Sequence, residues 1–218
     1  MSLQNLKTQF DTLLSNLNAS GTLNFASTVE AGYEALTLAE VMNEYKKVYG
    51  KILHVTTPSS NKFLNQSPGR FRVERSFKIE FSSGLVFYFA ADIEVFGLGA
   101  LREDKPLGIL FEADVVVLSE EHIQDILRNF RGFPAPQHID SAYECKFGQY
   151  NKGQLRELLG LRRHLSYLSP SNSTATLLFN EWVRHSNPPI ALKMVRPRTH
   201  IFYDIQTAKL YDLEQIIV

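Results

Sequence analysis

Cysteine is nearly missing from this chain of 218 residues, which has only Cys145. One thiol excludes an internal disulfide and any cysteine-based zinc cluster, and its strand context makes it a core residue rather than a nucleophile. Net charge is missing too. With 23 Lys and Arg against 23 Asp and Glu, overall charge does not mark a binder of nucleic acid or membrane surfaces. No apolar run approaches the ~20 residues that span a bilayer, and the N-terminus lacks a signal peptide's apolar stretch. A cytoplasmic protein without membrane contact is expected.

The usual catalytic signatures are also lacking. There is no Gly-x-Ser-x-Gly elbow and no Gly-x4-Gly-Lys-Ser/Thr loop. The six histidines (54, 122, 138, 164, 185 and 200) form no His-x-x-x-His or His-Glu-x-x-His pair. These absences argue against a serine hydrolase, a P-loop NTPase and a zinc protease. Gly97-Leu98-Gly99-Ala100-Leu101-Arg102 comes close to a dinucleotide fingerprint. It carries Arg102 in place of the third glycine, and Glu103-Asp104-Lys105-Pro106 follows where a helix should run, so it is rejected.

What is present fits one globular domain with a modest extension. The chain is 44% hydrophobic and 21% charged, enough to bury a sizeable core. Leu3, Leu6, Phe10, Leu13, Leu14 and Leu17 recur at helical spacing and predict an amphipathic helix over 2–18. A second helix is predicted from Thr28 to Tyr49, capped by Ser27 or Thr28 and ended by Gly50. Residues 52–69 read as loop, 71–81 and 85–96 as a hairpin turning at Ser82-Ser83-Gly84, and 120–130 as a helix. Helices at 152–168 and 174–185 and strands at 190–195 and 200–203 complete the reading.

The stretch from Phe111 to Phe147 carries the chemistry. Phe111-Glu112-Ala113-Asp114-Val115-Val116-Val117-Leu118 and Tyr143-Glu144-Cys145-Lys146-Phe147 both read as strands. Side chains alternate along a strand. Glu144 and Lys146 therefore share one face, opposite Tyr143, Cys145 and Phe147; Glu112 and Asp114 likewise oppose Phe111, Ala113 and Val115. If the strands pair with their charged faces together, Asp114 and Glu144 become two carboxylates that can share a hard divalent cation, with Lys146 beside them to orient water or offset charge on a phosphate. Asp92 and Glu94, on one face of the preceding strand, are the chief rivals of Asp114 for that cation.

An Asp about thirty residues before a Glu-x-Lys resembles the PD-(D/E)-x-K nuclease superfamily, the restriction-endonuclease-like fold, over roughly residues 28–205. Ala113 stands where the family name has Pro. The resemblance implies an α/β (α+β) domain over 28–218, with a central mixed β-sheet flanked by helices. Residues 1–27 form an N-terminal helical extension outside it. It implies a nuclease that uses Mg2+ or Mn2+ to hydrolyse nucleic acid, DNA favoured over RNA. Asp114 and Glu144 hold the metal with the carbonyl of Cys145, and Lys146 assists the attacking water. It also points to Glu34, in the helix ahead of the sheet, as a further acid, and to Lys152, Gln154 and Arg156 as nucleic-acid contacts at the start of the following helix. Cutting both strands of a duplex with one site per chain implies a homodimer or two successive nicks. The alternative is a catalytically silent nuclease-fold module that binds nucleic acid or a partner protein. Charge distribution agrees with a polyanionic partner: residues 141–200 hold nine Lys and Arg against three Glu, a net +6 beside the candidate carboxylates.

Overall fold

A computed structural model describes residues 3–16, 29–58, 69–97 and 110–146, together with strand segments 168–170, 182–184, 190–194 and 212–215. Helix α1 (Leu3–Asn16) packs on α2 (Val29–Tyr49) and places Phe10 and Leu14 in the main core. Helix α2 is rich in strong helix formers, Ala, Leu, Glu and Met. From Ala35 to Ala39 every side chain is buried, so this part of the helix is enclosed all round rather than lying on the surface by one stripe. Gly50 ends it in the left-handed conformation (φ 92°), its N–H donating to the Lys46 carbonyl at 3.1 Å. That is the αL helix stop, and glycine fills it without strain. A Cβ there would also meet Ser82 Oγ at 2.6 Å.

The sheet begins with β1 (Ile52–Thr56), β2 (Phe77–Phe81), β3 (Val86–Phe96), β4 (Leu110–Ser119) and β5 (Ile139–Lys146), each antiparallel to the one before. β8 (Ile190–Met194) joins the far side of β5 in parallel, and β9 (Asp212–Gln215) joins β8 in parallel. A separate ribbon pairs β6 (Leu168–Pro170) with β7 (Trp182–Arg184). Helix α3 (Glu120–Arg128) follows β4 directly. α2 covers one face of the sheet with Phe77, Phe81, Phe87, Phe89, Val115, Val117 and Cys145. α3 covers the other through Ile123 and Ile126 against Tyr88, Ala90, Val116 and Leu118. Val115 to Leu118 is a continuous buried run, as a central strand with a helix on each face requires.

Several sequence expectations change. Residues 52–56 are the first strand rather than loop: Ile52 and Val55 pack against the core while their neighbours stay exposed. The expected strand over 71–81 starts only at Phe77, because Val73–Arg75 winds into a 3-10 turn. Trp182–Arg184 pairs with Leu168–Pro170, so the expected helix 174–185 does not hold at its end, where Trp and Val favour a pleated strand. β9 was not anticipated. The expected helix over 152–168 lies outside the described residues except at Leu168, which begins β6 instead, and the expected strand over 200–203 lies outside them.

Two buried polar contacts fasten this frame. The Tyr45 hydroxyl of α2 donates to the Asp140 carboxylate and bonds Ser141 Oγ at 2.7 Å, fixing the helix to the start of β5. Burial raises the pKa of both Tyr45 and Asp140. His138, 2% exposed, bonds Asp125 Oδ2 of α3 through Nε2 at 2.8 Å, and its Nδ1 accepts the Ala135 N–H at 3.1 Å. The accepting Nδ1 fixes the neutral Nε2–H tautomer. Burial, the largest influence, lowers the His138 pKa despite Asp125. The folded state thus takes up fewer protons than the unfolded one near the ordinary histidine value of about 6.5. Stability from neutral His138 is complete above that pH and is lost as pH falls through it. His138→Ala should lower stability at pH 8 by roughly 2–3 kcal/mol, and urea denaturation should show the gap narrowing at pH 5.

Candidate metal and nucleic-acid site

The site is set by register across three central strands. β4 and β5 pair through Val115↔Tyr143, Val116↔Ala142 and Val117↔Ser141. The ladder ends at Val115↔Tyr143; carried one residue further, its register would put Asp114 opposite Glu144. At that point the Cys145 N–H donates to Asp114 Oδ2 at 2.5 Å, a short charge-assisted bond that ties the carboxylate to the neighbouring strand. On the other side, Ala91↔Val115 and Ile93↔Ala113 flank Asp92 and set it opposite Asp114, while Glu94 pairs with Glu112. Asp92 and Asp114 therefore form an acidic row across β3 and β4, which the Cys145 N–H bond ties to β5 next to Glu144.

This row also marks a break in the sheet's alternation. Asp92 adopts φ 52°, a left-handed conformation that Asp tolerates better than most residues, though at a cost of order 1–3 kcal/mol. On β3, Phe87, Phe89 and Ala91 join the α2-side core, yet Ile93 joins the α3-side core. β4 reverses at the same level, with Val115 and Val117 on the α2 side but Ala113 on the α3 side. The expected strict opposition of Glu112 and Asp114 to Phe111, Ala113 and Val115 thus fails at Asp114, because the reversal turns the strand there. Backbone bonds support the strained position: Gly69 N–H donates to the Asp92 carbonyl at 3.1 Å, and Glu94 N–H donates to the Gly69 carbonyl at 2.9 Å.

Electrostatics single out Asp92. Burial, and secondarily the Glu112 carboxylate, push its pKa up to about 7. A carboxyl held so far from its ordinary range beside other acids is a functional-site signature. The row offers only oxygen donors, the hard ligand set that Mg2+ and Mn2+ take. Among the described residues no group of three or more His, Cys, Asp or Glu side chains is disposed around a common metal position. For Glu144 and Lys146 the description is of the backbone: they pair with Leu192 and Met194 of β8.

The remaining expected residues divide. Cys145 is buried with Tyr143 against the α2-side core, as its strand parity requires. Glu34 is half-buried on α2, one turn before the core residue Leu38. Lys152, Gln154 and Arg156 lie outside the described residues. Sequence reasoning missed Arg70, Arg72 and Arg75, which line a cavity of about 290 Å³ with Asp92. The alternation Arg70-Phe71-Arg72, at the start of the strand expected over 71–81, was the available signal. No protein-family model, curated protein or solved structure matches the chain.

Asp92 has a linkage consequence. Its folded pKa lies above the unfolded value, so protonated Asp92 favours the fold at low pH, and that contribution is lost as pH rises from about 4 through 7. Asp92→Asn removes the desolvated charge and keeps a side chain suited to positive φ. It should raise stability by roughly 1–3 kcal/mol at pH 8 and leave it nearly unchanged at pH 4, as measured by thermal unfolding in EDTA.

Proposed function

We propose that this chain is a metal-dependent nuclease of the PD-(D/E)-x-K type, hydrolysing phosphodiester bonds with DNA as the favoured substrate. The observation that carries the reading is the bond from the Cys145 N–H to Asp114, made where the β4–β5 ladder ends at Val115↔Tyr143, which holds Asp114 against the strand that carries Glu144. Topology supports it. Helix α2 precedes an antiparallel run, here of five strands (β1 to β5) rather than the three expected, and β8 adds in parallel beside β5. Parallel neighbours need a crossover of a dozen or more residues, most often helical, and the chain between Lys146 and Ile190 is long enough to contain the expected helix.

Asp114 and Glu144, with the Cys145 carbonyl, would hold the cation, and the Cys145 N–H keeps the Asp114 carboxylate turned toward β5. When bound, a divalent cation there supplies a more acidic water and offsets charge on the phosphate. Lys146, two residues along the strand from Glu144, orients the attacking water and stabilises charge on the phosphate oxygens.

The test is cleavage of supercoiled plasmid in Mg2+ or Mn2+ by wild type, Asp114→Ala and Lys146→Ala prepared identically. Wild type should nick or cut only with metal, and both variants should lose roughly 100-fold or more in rate. Equal cleavage by all three would place the chemistry elsewhere, and nucleic-acid binding without cleavage by wild type would favour a silent binding module.

A further inference from the structure

β2 pairs with β3 only as far as Phe77↔Phe89, and further along the same edge Gly69 bridges Ile93. Between these points the chain bulges outward through the 3-10 turn Val73–Arg75. The gap leaves a cavity of about 290 Å³ on the edge of β3, lined by Arg70, Arg72, Arg75, Phe133, Asp92 and Glu94 among others. Its volume is at the low end for a ligand site, suited to one small polar group rather than a large apolar molecule.

Three arginines line the cavity, and none forms an ion pair with a described residue. Arg70 lies over the Phe133 ring at 5.2 Å. That is a cation–π contact, and a guanidinium so placed keeps the planar fork of N–H donors that suits an oxyanion. With both carboxylates ionised the lining still carries one net positive charge. Arginine forks match the paired oxygens of a phosphate better than a single carboxylate needs three of them.

Asp92, one of the lining residues, stands by register opposite Asp114. The β3 wall of the cavity is thus one inter-strand spacing, about 4.8 Å, from the strand that carries the candidate metal ligand. We infer that this arginine cavity is a second phosphate subsite, gripping a backbone phosphate of the nucleic-acid strand next to the one placed at Asp114 and Glu144. The inference rests on the proposed nucleic-acid substrate and extends it. The subsite fixes the direction and register of the strand over the acidic row, where the carboxylates alone would repel it.

The test is metal-free binding of a fluorescein-labelled oligonucleotide, followed by anisotropy in EDTA between 50 and 200 mM salt. Arg72→Gln/Arg75→Gln should weaken binding about tenfold at 100 mM salt and lower the slope of log K against log salt by about 1. Arg72→Lys/Arg75→Lys should recover part of the affinity. Arg128→Gln, on the exposed end of α3, should bind like wild type. Unaltered affinity and salt slope in the folded double Gln variant would overturn the subsite, as would wild type that binds no oligonucleotide. The nuclease reading is scored separately: plasmid cleavage abolished by Asp114→Ala beside unchanged binding by the Arg variants would remove the subsite and keep the nuclease. Lost binding in the Arg variants with no metal-dependent cleavage by wild type would do the reverse.

Discussion

The short bond from the Cys145 N–H to Asp114 Oδ2 is the contact on which the candidate site depends. It sits where the β4–β5 ladder passes from buried valines to charged residues. It also fixes Asp114 against the strand that carries Glu144 and Lys146. The apolar residues around it set the register: a slip of one residue would turn Val115 and Val117 away from the α2-side core and move Val116 and Leu118 out of the α3-side core. Hydrophobic packing on both faces therefore dictates which acids stand opposite one another, and the polar bond orients one of them.

The supports of β5 are polar and buried, and each comes from a different layer. Tyr45 fastens it to α2 through Asp140 and Ser141, while His138 ties the turn just before it to α3 through Asp125. Both contacts lie at the start of the strand, away from Glu144. This division leaves the far end of β5 to be shaped by its neighbours β4 and β8. The strained Asp92 fits the same picture. A left-handed residue with a desolvated carboxylate lowers stability, and such a cost is retained where charge and backbone direction serve a ligand rather than the fold.

Much of the frame was legible in the sequence because its signals are local. Gly50, the Ser82-Ser83-Gly84 turn and the valine run of β4 each announce themselves through backbone freedom or period. The pairing of β4 with β5 stood in the sequence only as a condition, since two apolar strands carrying acids do not by themselves say that they are neighbours. What escaped was non-local. β1 is a half-exposed edge strand whose Leu53 and His54 give no clean alternation. The reversal at Asp92 and Asp114 is invisible to a rule that assumes every strand alternates along its length. The arginine cavity exists only because β2 ends early and the chain bulges, and nothing in Arg70-Phe71-Arg72 alone reveals which edge it will line.

The central claim is that register brings Asp114 and Glu144 together around a divalent cation. Anomalous diffraction from crystals soaked in Mn2+ tests it most directly. The account predicts a manganese peak between the Asp114 and Glu144 carboxylates that is lost in an Asp114→Asn crystal. A peak held by Asp92 and Glu94 alone, or no peak in a well-ordered β4–β5 region, would contradict it.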